Sequence, residues 1–155
     1  MLEITVFPED RNLKLLWQEH DVLVVEGAGG IMVPLNEEDL MLDLMQALDL
    51  PVLLVCLPGL GTINHTLLSI QAIRNAGLEL AGVVFNATTP VEDNAVTRDN
   101  PKAISQFGNV KVLGQIDFQQ SLSLNLYIDW NQVLKNIDGF SDIVSCILGS
   151  EKNGK

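Results

Sequence analysis

Apolar and polar positions along this chain follow two rhythms. Runs rich in Val, Leu and Ile recur at Val22–Glu26, Val52–Leu57, Leu80–Asn86 and Lys111–Ile116, each ending in or followed by a polar residue or a proline. Between and around them the apolar residues fall at three-to-four spacing. In Asn64–Ala76, for example, Leu67, Ile70 and Ile73 or Arg74 follow that spacing and Gly77 supplies a stop. The same reading predicts helices at Asn12–Gln18, Leu40–Leu48, Lys102–Phe107 and Trp130–Leu148. Runs that are apolar on both faces, alternating with helical segments, predict an α/β fold: three layers, a mainly parallel sheet and helices on both faces. Each of the four strands is expected to be central, not at an edge. Leu2–Phe7 alternates like a strand but serves equally well as an extended arm ended by Pro8. Thr88–Asn100 predicts a loop, residues 1–150 a single domain, and residues 151–155 a disordered tail.

Composition narrows the classes of partner. The chain has 155 residues, 47% of them hydrophobic, enough for a core of its own. Its longest apolar stretch, Pro51–Leu60, is broken by Pro58 and Gly59 and is well short of the ~20 residues a membrane span requires. Residues 1–11 carry acids and no apolar core, so the cytoplasm is the expected compartment. Cys56 and Cys146 lack metal-ligand spacing and are expected as reduced core residues. A net charge of −11 argues against nucleic acid. No Lys or Arg stands between Lys14 and Arg74. A phosphate bound by this part of the chain therefore has to be held by backbone N–H groups, a metal or another polypeptide.

Four segments carry candidate chemistry. Gly59-Leu60-Gly61-Thr62-Ile63-Asn64-His65-Thr66 places a glycine loop at a helix start. There the unpaired N–H groups and the positive end of the helix dipole favour a carboxylate or phosphate. Thr62 or Asn64 as an ordinary N-cap is compatible with that role. Val22–Gly30 runs an apolar strand into Glu26 and then Gly27, Gly29 and Gly30. Glu26 is either a turn cap or an oxygen ligand for Mg²⁺, and the glycines serve a sharp turn or the close approach of a ligand. Asn86 closes a buried strand, where its amide either makes an Asx-turn or reads a ligand's edge. Gly114–Phe118 ends the next strand.

Taken together, Glu26–Gly30, Gly61–His65, Ala81–Asn86 and, more weakly, Val112–Ile116 resemble dethiobiotin synthetase over roughly Asp21 to Phe118. The resemblance implies a nucleotide-binding fold of the phosphate-loop type and an ATP-dependent ring closure on 7,8-diaminononanoate with CO₂, in a homodimer. It implies that Glu26 holds Mg²⁺ and that Gly61, Thr62, Ile63 and Asn64 bind the carboxylate tail of the diamino acid, across the dimer from the other subunit's nucleotide. It also implies that Gly27, Gly29, Gly30, Asn86, Ile116, Asp117 and Phe118 lie around the nucleotide. Two departures stand out. No Gly-x-x-x-x-Gly-Lys-[Ser/Thr] loop occurs, the only Gly-Lys pair being Gly154-Lys155, so the fold reads as incomplete and a separate N-terminal half is an expected partner. Asp117 stands where that family usually has a proline. A non-catalytic carboxylate-binding or dimerising module built on the same fold is the other reading of the same residues.

Overall fold

The computed structural model describes residues 18–20, 23–92 and 95–120, with Ser141 and Val144. The expectations for Met1–Pro8, Asn12–Trp17, most of Trp130–Leu148 and the 151–155 tail lie outside these residues. The chain divides into two compact units: Met1–Leu50 with Ile73–Glu79, and Pro51–Ala72 with Leu80–Lys155.

In the first unit, α1 (Met41–Leu48) follows a tightly bonded turn. Asn36 organises it, its Oδ1 accepting the N–H groups of Glu38 and Asp39, both at 2.8 Å. Pro34 and Leu40 form an antiparallel bridge, and the Asp43 carboxylate accepts the Leu40 N–H at 2.7 Å, as an acid in a first helical turn does. Residues 23–27 are not a strand. Val24 is 73% and Val25 43% exposed, and no strand pairs with them among the described residues. An apolar run marks residues able to enter a sheet, but only a neighbour's ladder makes them a strand.

The second unit holds a three-stranded parallel sheet in the order β1 (Val52–Cys56), β2 (Leu80–Asn86), β3 (Val112–Ile116). The crossovers carry α2 (Thr62–Asn75) and α3 (Ala95–Gly108), as parallel neighbours require. Ile70 of α2 and Ile104 of α3 meet Val83, Phe85 and Val110 in the core. Val84, on the other face of β2, is buried too, so the middle strand is covered on both sides. The expectation that every strand is central holds for β2 alone among the described strands. β1 and β3 flank it, and Val55 of β1 is exposed. Edge position depends on what lies alongside a strand, which its own apolar content does not report.

Two details fix the site's geometry. The β2–β3 register shifts so that Val83 faces Val112 and Val84 faces Gly114, leaving Leu113 in the bulge. A Cβ on Gly82 would lie 2.6 Å from Leu113 Cδ1, so the buried Leu113 side chain occupies the room a side chain at 82 would need. The second detail corrects the expected short helix at Lys102–Phe107. α3 starts at Ala95 and runs through Pro101. Its first turns are polar and proline-containing, a composition that signals a loop, yet Asn100 and Ile104 are buried on one face at four-residue spacing.

Candidate functional site

β1, β2 and β3 run parallel, so their carboxyl ends share one edge of the sheet, where ligands of open α/β sheets collect. At that edge stand the glycine loop after β1, Asn86 at the end of β2, and Ile116-Asp117-Phe118 at the end of β3.

The loop is shaped by Gly59 and Gly61, at φ +128° and +87°, conformations that L side chains rarely adopt. Leu60 between them is fully exposed. The Thr62 N–H donates to Gly59 O at 3.3 Å and the His65 N–H to Gly61 O at 3.1 Å. The N–H groups of Ile63 and Asn64 have no acceptor among the described residues, as first-turn amides do not unless something caps them. The four predicted loop residues therefore divide. The Thr62 side chain turns inward, only 6% exposed, with its Oγ1 3.4 Å from Oγ1 of the buried Thr66, so it does not cap the helix. Ile63 packs its side chain against the core. Asn64 is exposed, and what Gly61 and Ile63 offer a ligand is backbone. His65 is exposed at the loop's rim. Beneath the two threonines, Cys56 Sγ donates to Val84 O at 3.6 Å. Burial pushes its thiol pKa up, and the Thr66 and Thr62 hydroxyls pull it partly back.

The second feature is an open groove of about 530 Å³ lined by residues from three places: Pro90–Glu92 after β2, Thr97, Arg98 and Pro101 of α3, and Gln115, Asp117 and Phe118 of β3 and its exit. Asn86 and Ile116 are register partners, and the Ala87 N–H donates to Ile116 O at 2.9 Å, which fixes where the two strand ends meet. The Asn86 carboxamide is half-buried and makes no hydrogen bond to another described residue, so it forms no Asx-turn. Asp117 is exposed and accepts from Gln115 Nε2 at 2.7 Å, while Gln119 Nε2 reaches Asp117 O at 3.2 Å. Thr97 Oγ1 donates to Glu92 O at 2.8 Å, tying the β2 exit to α3. Sequence reasoning missed the helical wall, Thr97, Arg98 and Pro101, because it read their segment as a loop. The four-residue spacing of Thr97 and Pro101 was the available signal.

Glu26 and the three glycines after it belong to the first unit. Glu26 is exposed and makes no hydrogen bond or ion pair with another described residue. Gly27 has a packing reason to be glycine, since a Cβ there would sit 3.0 Å from Sδ of the buried Met41. Gly29 has a conformational one, at φ +84°. Around Gly30 nothing lies within 4 Å of a built Cβ. Among the described residues no group of three or more His, Cys, Asp or Glu side chains could hold a metal, and no helix is long and apolar enough to cross a membrane.

Comparison with known proteins identifies the family. A family model described as an AAA domain matches residues 6–125. An ATP-dependent dethiobiotin synthetase of Methanococcus vannielii is 36% identical over 124 residues, covering 80% of this chain and 59% of that protein. One from Paramagnetospirillum magneticum is 51% identical over 94 residues, covering 61% and 42%. A biotin biosynthesis bifunctional protein of Bordetella avium is 43% identical over 116 residues, covering 75% and 23%. The chain thus spans about half the length, 54–59%, of the first curated synthetases it matches. The family match over residues 6–125 places the chain in the AAA-domain family, and these identities place it with the dethiobiotin synthetases.

Proposed function

We propose that this chain forms the carboxylate-binding and nucleobase-binding part of a dethiobiotin synthetase. One observation carries the reading: the loop with open N–H groups, Asn86 at the end of β2 and the groove at the exits of β2 and β3 stand on the same carboxyl edge of one parallel sheet, although Asn86 and Ile116 do not themselves line the groove. In this reading the N–H groups of Ile63 and Asn64 hold the carboxylate tail of 7,8-diaminononanoate. No cation is needed for that, because the charge is met by backbone dipoles at a helix start. The base of ATP sits in the groove, its edge read by the Asn86 amide as donor and acceptor and its face covered by Phe118. CO₂ adds to one amine of the substrate, the carbamate takes the γ-phosphoryl of ATP, and the second amine displaces that phosphate to close the ureido ring.

Mg²⁺ suits Glu26 as one ligand among several, since this ion takes one or two carboxylates and fills its shell with phosphate oxygens and water. Glu26 is exposed, with both oxygens uncommitted to described partners. The ion would neutralise charge on the phosphates. This chain's own contribution is to hold and orient the two ends of the reaction. These 155 residues contain no Gly-x-x-x-x-Gly-Lys-[Ser/Thr] loop, and in this reading phosphoryl transfer uses such a loop from outside them. A homodimer fits the fully exposed Leu60 at the loop tip, an apolar side chain that a partner subunit would cover.

Amide-resolved titration tests the assignment. AMP should shift the resonances of Ile116, Asp117 and Phe118, and 7,8-diaminononanoate those of Ile63 and Asn64. If neither ligand moves its assigned set at millimolar concentration, the reading is wrong.

A further inference from the structure

Asn100 is 3% exposed on a helix whose neighbouring residues Asp99 and Lys102 pair with each other in solvent at 3.0 Å. A carboxamide is buried at a net cost unless its donors and acceptor are met. Asn100 Nδ2 meets the carbonyl oxygen of Gly59, 3.3 Å away and 41 positions earlier in the chain. That oxygen already accepts the Thr62 N–H at 3.3 Å, so its two lone pairs are shared between the loop's own turn and α3.

The location gives this bond its significance. Gly59 and Gly61 are both at positive φ and flank a side chain with no packing partner, so the loop's own hold on its backbone is its two turn bonds, Thr62 N–H to Gly59 O and His65 N–H to Gly61 O. The bond from Asn100 ties the first of these glycines to the helix that packs Ile104 into the core. A ligand held by backbone N–H groups is sensitive to such a tie, because those groups cannot re-aim by changing a rotamer. Their direction is the direction of the peptide planes.

We infer that Asn100 is the positioning residue of the glycine loop: its buried carboxamide fixes the Gly59 peptide and so the aim of the Ile63 and Asn64 N–H groups at a carboxylate. The inference rests on the carboxylate-binding reading of that loop. Asn100 itself touches no substrate.

The test measures 7,8-diaminononanoate binding to the wild type and to Asn100→Leu, together with amide hydrogen exchange at Val83, Phe85 and Ile104. Loss of one neutral hydrogen bond of this kind predicts about tenfold weaker binding, with core protection as in the wild type. Undiminished affinity in the variant overturns the inference. So does a loss of affinity that comes with lost core protection, together with an Asn100 side-chain amide resonance in the wild type that stays put while the Ile63 and Asn64 amides shift with ligand. Movement of the Asn100 resonance in that titration supports the inference even where the variant folds poorly. A wild type that binds no diaminononanoate is a different result: it removes the carboxylate reading of the loop, and the inference falls with it.

Discussion

Asn86 and Ile116 are paired in register at the carboxyl ends of β2 and β3, and the Ala87 N–H to Ile116 O bond locks that pairing. The residue closing one strand is thereby set beside the turn that leaves the next, which is the placement an edge-reading amide requires. Because the Asn86 carboxamide has no hydrogen-bond partner among the described residues, removing it breaks no described hydrogen bond. Asn86→Ala should therefore weaken AMP binding by about thirtyfold, the worth of two net hydrogen bonds, with little change in the unfolding midpoint. A titration of AMP against Asp117 and Phe118 amide shifts, paired with thermal melts of both proteins, checks both halves of the statement.

The loop makes a sharper prediction. Gly61 stands at φ +87°, where a β-branched residue is strained, so Gly61→Val costs about 1–3 kcal/mol in place or forces the loop to another conformation. Either outcome misdirects the Ile63 and Asn64 N–H groups. Binding of 7,8-diaminononanoate should be lost while AMP still shifts Ile116 and Phe118, as a paired titration of the variant would report.

Much of this arrangement was legible in the sequence, and the exceptions have physical causes. β2 and the body of α2 announce themselves because a buried strand is apolar throughout and a helix ended by Gly77 has a stop at its C-terminus. The loop residues were legible for the same reason, since Gly59 and Gly61 sit where only glycine is at ease. The strand expected at Val22–Glu26 is not one over its described residues, because pairing is non-local, and nothing in Leu23-Val24-Val25 says whether a ladder will meet it. The start of α3 was missed because Thr97 to Pro101 is polar, although burial of Asn100 and Ile104 makes it half of an amphipathic face. The groove went only half seen as a consequence: Asp117 and Phe118 were named, and the helical wall across from them was not.

Gly82 offers a test of the sheet itself. With Leu113 Cδ1 only 2.6 Å from where its Cβ would stand, Gly82→Ala has to displace a buried leucine at the β2–β3 bulge. Overpacking of this kind costs about 1–3 kcal/mol. Urea denaturation should show a lower midpoint with an unchanged slope, and the double variant Gly82→Ala with Leu113→Val should recover part of the loss.

Cys56 gives a pH dependence with a definite sign. Burial raises its thiol pKa above that of the unfolded chain, so above the ordinary thiol range the folded state holds a proton that the unfolded state has released. Its contribution to stability is neutral below the unfolded pKa and becomes unfavourable as pH rises beyond it. The same protonation suppresses reactivity, because the thiolate is the nucleophile. In a Cys146→Ser background, iodoacetamide at pH 8 should modify Cys56 slowly in the native protein and rapidly in urea, as mass spectrometry over time would record.

The carboxylate site is meant to work through backbone dipoles on this chain alone, without nucleotide, magnesium or a phosphate-binding loop. Isothermal titration of 7,8-diaminononanoate into the purified 155-residue chain, with ATP and Mg²⁺ left out, tests that most directly. Saturable binding that Gly61→Val abolishes is the expected result. No heat at millimolar ligand, or binding that appears only when ATP and Mg²⁺ are added, would contradict it.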